Sequence, residues 1–141
     1  MKNLSQSDFR DLLDDLELLH RKVDERVLVV PFPPDEDFDH EIRIVFLVDK
    51  KKLQAASSVA GYGSDLPRAK KLDFCNRWNR ENITPKAYLD GDGDFVAELI
   101  LLHDEDVSAE CIKNNFIKLG IATIARFFKE LKAYVDDERA A

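Results

Sequence analysis

The sequence predicts an α+β fold in the order helix, three strands, helix, two strands, helix. Three observations carry this. Apolar residues recur at three- and four-residue spacing over Phe9–Val23 and again over Ile112–Val135. Between these stretches the period changes to alternation, in runs rich in Val, Ile and Phe. Proline and glycine clusters at Pro31–Pro34, Gly61–Gly63 and Gly91–Gly93 mark the breaks. The chain has 141 residues, which suits one domain spanning residues 1–141 that holds a core without metals or disulfides.

The first helix is expected over Ser5–Lys22. Ser5 or Ser7 can cap it, and Asp8 and Asp11 suit the positive end of the helix dipole. Phe9, Leu12, Leu13, Leu16, Leu19 and Val23 form its apolar stripe. Arg26–Phe32 reads as a strand, closed by Pro31, Pro33 and Pro34, which cannot donate to a ladder. An acidic connection follows, Asp35–Glu41, with Phe38 and His40 inside it. Glu41–Asp49 is expected to be a central strand covered on both faces, because both turn apolar towards its end. Lys50–Lys52 is a turn, and Leu53–Tyr62 a third strand built of small residues. Small residues there let something pack closely or mark an edge open to a partner.

Ser64 or Asp65 is expected to cap the second helix, with Pro67 in its first turn, where a missing N–H costs nothing. Asn82 is a candidate left-handed stop. Lys86–Asp90 and Phe95–His103 read as strands joined by the turn Asp90-Gly91-Asp92-Gly93-Asp94. Ser108 caps a final helix that reaches about Asp137, before a frayed tail. It carries two stripes. Ile117, Ile121, Ile124, Phe128, Leu131 and Val135 form one; Ile112, Phe116, Leu119, Phe127 and Tyr134 form the other. Two stripes imply burial on more than one side, by another helix or by a second subunit.

The net charge of −7 disfavours nucleic-acid binding, which needs a cationic surface to displace phosphate counterions. The lysine runs Lys50–Lys52 and Lys70–Lys71 read as solvated ends of elements. Cys75 and Cys111 sit in apolar helical patterns and read as buried free thiols, which suits a reducing cytosol; a disulfide stays open, because sequence does not give their separation. The start of the chain lacks the apolar core of a signal peptide, and no run approaches a membrane span, so a cytoplasmic location without membrane contact is expected.

No catalytic motif is present and no cofactor is expected. The Asp90–Asp94 turn resembles the opening of a calcium loop, but the sixth and twelfth positions hold Phe95 and Leu101 where glycine and glutamate are needed. A hairpin turn explains its glycines without an ion. His20, His40 and His103 share no ligand spacing. Asn76, Arg77 and Asn79 surround Trp78. Trp78 is expected to pack the helix on the sheet while the amides bond strand or loop backbone; the competing reading makes Arg77 and Trp78 a recognition patch.

Phe74-Cys75-Asn76-Arg77-Trp78-Asn79, then Lys86-Ala87-Tyr88-Leu89-Asp90-Gly91-Asp92-Gly93, then Val107-Ser108-Ala109-Glu110 resemble the YbjN family of bacterial sensory-transduction regulators. Over residues 1–60 only the order of elements matches. The resemblance implies a fold like type III secretion chaperones: an antiparallel sheet covered by helices, commonly dimeric, binding partner segments. It supplies no catalytic residues. The expectation is a non-enzymatic, chaperone-like protein-binding or regulatory module, acting in bacterial signalling or stress regulation. Its partner would be a protein or peptide segment, held on a sheet face, sheet edge or helix groove, and it would form a homodimer. Arg77, Trp78, Ile117, Ile121, Ile124 and Phe128 are the candidate interface residues. The alternative is a small metal-binding or hydrolytic protein in which the acidic loop 35–41 and the 90–94 turn converge.

Overall fold

The computed structural model describes residues 4–104 and 106–141. Its elements are α1 (Gln6–Asp15), β1 (Arg21–Lys22), β2 (Val27–Phe32), β3 (Ile42–Val48), β4 (Lys52–Ser58), α2 (Arg68–Glu81), β5 (Lys86–Leu89) and β6 (Phe95–Leu102). One continuous helical rod ends the chain: α3 (Ala109–Ile112), a π-helical turn (Lys113–Lys118) and α4 (Leu119–Ala140). The six strands form one antiparallel sheet in the order β1-β2-β3-β4-β6-β5. The α+β class and the chaperone-like order of elements are as expected, with β1 as an addition.

That addition follows from an early stop to the first helix. Ser5 and Asp8 close a capping box at its start. The end is a Schellman turn: Leu18 N–H donates to Leu13 O at 3.0 Å and Glu17 N–H to Asp14 O at 2.9 Å. Glu17 adopts φ 57° to make it, where glycine is the usual residue. The helix therefore stops at Asp15 rather than Lys22, and Arg21 and Lys22 pair with Val29 and Leu28 as strand residues. Leu19 and Val23, expected on the buried stripe, are 83% and 56% exposed.

Alternation along the strands sends Leu28, Val30, Ile44, Phe46, Leu53 and Ala55 to the inner face, where all are buried. α1 covers one half of this face, with Phe9 5.4 Å from Phe46 and 6.3 Å from Phe116 between ring centroids. α4 runs over the same face. A Cβ at Gly120 would stand 3.1 Å from Leu99 Cδ2, so a larger residue would push α4 away from β6. α2 flanks α4: Phe74 and Trp78 lie 5.6 and 5.3 Å from Phe127. On the other flank, Phe38 from the acidic loop lies 5.0 Å from Phe128. Both stripes of the last helix are thus largely consumed within the chain, by the sheet, α2 and the loop.

Other boundaries differ from expectation for local reasons. β4 is central, between β3 and β6, so its small residues mark no edge. α2 begins after Pro67 with no side-chain cap; Asp65 instead forms a bidentate pair with Arg139 at 2.7 and 2.9 Å. That pair, with the Tyr134 hydroxyl donating to Lys70 O at 2.8 Å, holds the last helix to α2 and extends it to Ala140, past the expected fray at Asp136. Asn82 ends α2 in extended backbone (φ −133°), not left-handed.

Candidate functional site

The Trp78 neighbourhood closes one edge of the sheet. Trp78 is 2% exposed, and its Nε1 donates to Pro85 O at 2.7 Å. One turn position later, Asn79 Nδ2 donates to Ala87 O at 2.9 Å while its Oδ1 accepts from Ala87 N–H at 2.8 Å. The side-chain amide occupies the place of a neighbouring strand on β5. Trp78 is therefore a core residue whose flanking amide bonds strand backbone, as the first of the two sequence readings held. Arg77 stays exposed, with its guanidinium 5.6 Å from the Phe74 ring and 5.3 Å from the Tyr134 ring.

The remaining candidates divide sharply. Ile117, Ile124 and Phe128 are 0% exposed inside the monomer, so their side chains offer no surface to a second subunit. Only Ile121 of that stripe reaches a surface depression. It sits midway along a groove between α4 and the ends of α1, β2 and β3. One part of the groove, about 280 Å³, is lined by Leu16, Leu18, Lys118, Ile121 and Ala122. Ile121 continues into a narrower part of about 90 Å³ floored by Phe32, Ile42 and Ala125. Ala125 and Ile42 lead into a third part of about 300 Å³, bordered by Asp35, Asp37, Arg126 and Lys129. From Lys118 to Lys129 the groove follows α4 for roughly 16 Å, at 1.5 Å per helical residue. Its floor is aliphatic and aromatic. Lys129 Nζ lies 3.7 Å from an Asp37 carboxylate oxygen at one end.

Sequence reasoning missed most of this lining. The helical spacing places Leu16 on a buried stripe and gives Leu18 no role. Both are set at the groove by the Schellman turn at Glu17, which carries no glycine to announce it.

The acidic loop 35–41 does a structural task. Asp35 Oδ1 accepts from the Asp37 and Phe38 N–H groups at 2.8 and 3.0 Å, folding the turn that inserts Phe38 into the core. Asp39 is held below the usual carboxylate range; desolvation opposes this, and the His40 hydrogen bond at 3.1 Å drives it. Glu41 accepts from Arg43 Nε at 2.8 Å. Among the described residues, the three acids close enough to share an ion are Asp90, Asp92 and Asp94, within 4.8 Å of one another, and the 35–41 loop contributes none. The convergence required by the metal or hydrolytic alternative does not occur there. Asp90 Oδ1 already accepts from the Asp92 and Asp94 N–H groups at 2.9 and 3.0 Å, and Asp94 Oδ1 accepts from Gly61 N–H at 3.0 Å. Gly93, at φ 81°, completes this hairpin turn as glycine can.

Both cysteines are free. Cys75 is buried, and desolvation pushes its thiol up to about 11. Cys111 is only half-buried, less than expected, and its Sγ accepts from Asn115 Nδ2 at 3.7 Å.

A sequence model of the YbjN family, described as "Putative bacterial sensory transduction regulator", matches residues 9–133. The chain belongs to the YbjN family. The solved structure of YbjN from E. coli, described as "a putative transcription regulator", superposes with TM-score 0.69 at 16% identity over 93% of both chains. The HopA1–SchA chaperone–effector complex matches with TM-score 0.51 at 18% identity, over 85% of this chain and 88% of that one. At such identities the likeness is one of fold. No curated protein matches the chain. In this YbjN-family chain, two residues of the N-x-W-N motif have structural tasks, Trp78 in the core and Asn79 in edge closure, while Asn76 and Arg77 are exposed. Among the described residues, no helix is long and apolar enough to cross a membrane.

Proposed function

We propose that this YbjN-family chain is a non-enzymatic regulatory module that holds a segment of a partner protein in the groove along α4. The groove itself is the observation that carries this reading: a continuous apolar floor through Leu16, Leu18, Ile121, Phe32, Ile42 and Ala125, with charges at its ends. Its lining is apolar with a few polar groups at the rim, the usual anatomy of a binding surface. A regulatory role fits the family's description. The fold shared with a chaperone in complex with its effector supports the choice of a protein segment as ligand.

The module acts in the cytoplasm, where its free thiols suit reducing conditions. A homodimer, inferred from two stripes on the last helix, loses much of that support because those stripes are largely used inside the chain, Leu119 excepted at 41% exposed. Light scattering gives the mass directly.

Affinity capture from the native host with wild-type chain and with Ala122→Glu and Ala125→Glu tests the reading. Both alanines are exposed, so the variants are expected to keep the wild-type melting temperature and lose a specific co-purifying protein. Capture of the same protein by all three chains would refute the groove as its site.

A further inference from the structure

Among the described residues no helix covers the outer face of the sheet, yet apolar side chains stand among its polar ones. An antiparallel sheet with one solvated face ordinarily alternates apolar-in and polar-out. Here the register aligns Val29, Val45 and Ala56 in one row, and Val27, Leu47, Gln54 and Ile100 in the next, all pointing away from the helices. Val45, Ile100 and Leu102 are 38%, 46% and 76% exposed. At the β1 end the face dips into a hollow of about 280 Å³, with Leu19, Val29 and Pro31 as its apolar walls and His20, Arg21, Glu41 and Arg43 as its polar lining. Exposed apolar side chains clustered in this way are a feature of interaction sites.

The charge on this face is opposite to that of the whole chain. Arg21, Arg43, Lys52 and Lys86 occupy outward strand positions, against two carboxylates, Glu98 and, beside the hollow, Glu41, which accepts from Arg43 Nε at 2.8 Å and leaves Arg21, Lys52 and Lys86 as the cations not paired to Glu41. Glu98 is already engaged by Gln54 Nε2 at 3.0 Å and the Tyr88 hydroxyl at 2.9 Å. A net cationic face on a chain of net charge −7 selects a ligand with negative charge beside its apolar surface. The edges restrict its form. β5 is clamped by Asn79 and β1 has only 2 residues, so a strand finds only short ladders to extend at either side. A helix satisfies its own backbone and needs only a face. An anionic bilayer would meet the repulsion of the whole acidic chain, whereas a helix lying on the sheet meets the local charge.

We propose that the uncovered sheet face docks an amphipathic helix of a partner protein, apolar on one side and flanked by Asp or Glu, with an apolar side chain anchored in the hollow between Leu19 and Val29. This site is separate from the α4 groove and stands or falls independently of it.

The test uses two synthetic helices of roughly 18 residues, about five turns. Both carry leucine on one face; one has glutamate flanks and the other lysine flanks. Binding to the full chain is read by fluorescence anisotropy at low and high salt. The glutamate helix binds, more weakly at high salt, and the lysine helix does not. Ile100→Asp, and separately Lys52→Glu with Lys86→Glu, each weaken binding by about tenfold or more, which is about 1.4 kcal/mol. Ala125→Glu in the α4 groove leaves it unchanged. Circular dichroism melts confirm that the variants fold. Equal binding of both helices, binding of neither, or indifference to both sheet variants overturns the proposal. So does binding to phosphatidylserine vesicles that Ile100→Asp abolishes, which would assign the face to a membrane.

Discussion

The Asn79 side chain pairs with both backbone groups of Ala87, donating to its carbonyl at 2.9 Å and accepting from its N–H at 2.8 Å. A single amide thus replaces a missing strand at the edge of the sheet. Exposed edges template aggregation, and covering them is a recurrent solution. Asn79→Ala is expected to cost about 1–2 kcal/mol in the lost bonds and to increase self-association. Denaturant melts and light scattering at rising concentration check the two effects. A variant that is destabilised but stays monodisperse would leave the clamp with a stability role alone.

Trp78 sits beside this clamp, 2% exposed and bonded to Pro85 O. Trp78→Ala is expected to destabilise by about 3–5 kcal/mol. Phenylalanine at this position keeps most of the packing and loses the hydrogen bond, so it should cost less. Retention of the wild-type melting temperature in Trp78→Ala would contradict the core assignment.

Glu17 carries the end of α1 at φ 57°. Relief of the Cβ clash in Glu17→Gly is expected to outweigh the added entropy of the unfolded chain, raising stability by up to about 1 kcal/mol. Urea unfolding measures it. A loss of stability would mean that the Glu17 side chain contributes something its geometry does not reveal.

Cys75 has its thiol pushed up to about 11 by burial, from an ordinary 9.0. The folded state therefore holds this proton after the unfolded state has released it. Stability is unaffected by this group below pH 9 and falls as the pH rises towards 11. Cys75→Ala is expected to flatten that fall in alkaline melts, whatever it costs in packing near neutrality. Iodoacetamide at neutral pH should modify half-buried Cys111 well before Cys75. Modification of both at one rate in folded protein would contradict the burial of Cys75.

The fold was legible where periodicity and capping agree. Ser5 and Ser108 cap the helices they were expected to cap, and the alternation from Ile42 to Val48 identifies the strand and its inner face. Legibility failed where a rare conformation stands without its usual residue. Glu17 in a glycine position hid the end of α1, the existence of β1 and the release of Leu16 and Leu18 to the groove. The last helix misled for another reason. Its two apolar stripes are real, but periodicity does not say whether a second layer comes from the same chain. Here α2 and Phe38 supply it. The groove was legible only through Ile121, since its floor joins four elements distant in sequence. Of the amides around Trp78, Asn79 bonds strand backbone as expected, while Asn76 is exposed.

The central claim is that a partner protein occupies the groove along α4. A photo-crosslinking amino acid placed at Ala125, in the groove floor, and separately at Asp11, exposed on α1, tests this most directly in the native host. A protein adduct formed from position 125 and absent from position 11 is the expected result. No adduct from position 125, or the same adduct from both positions, would contradict the claim.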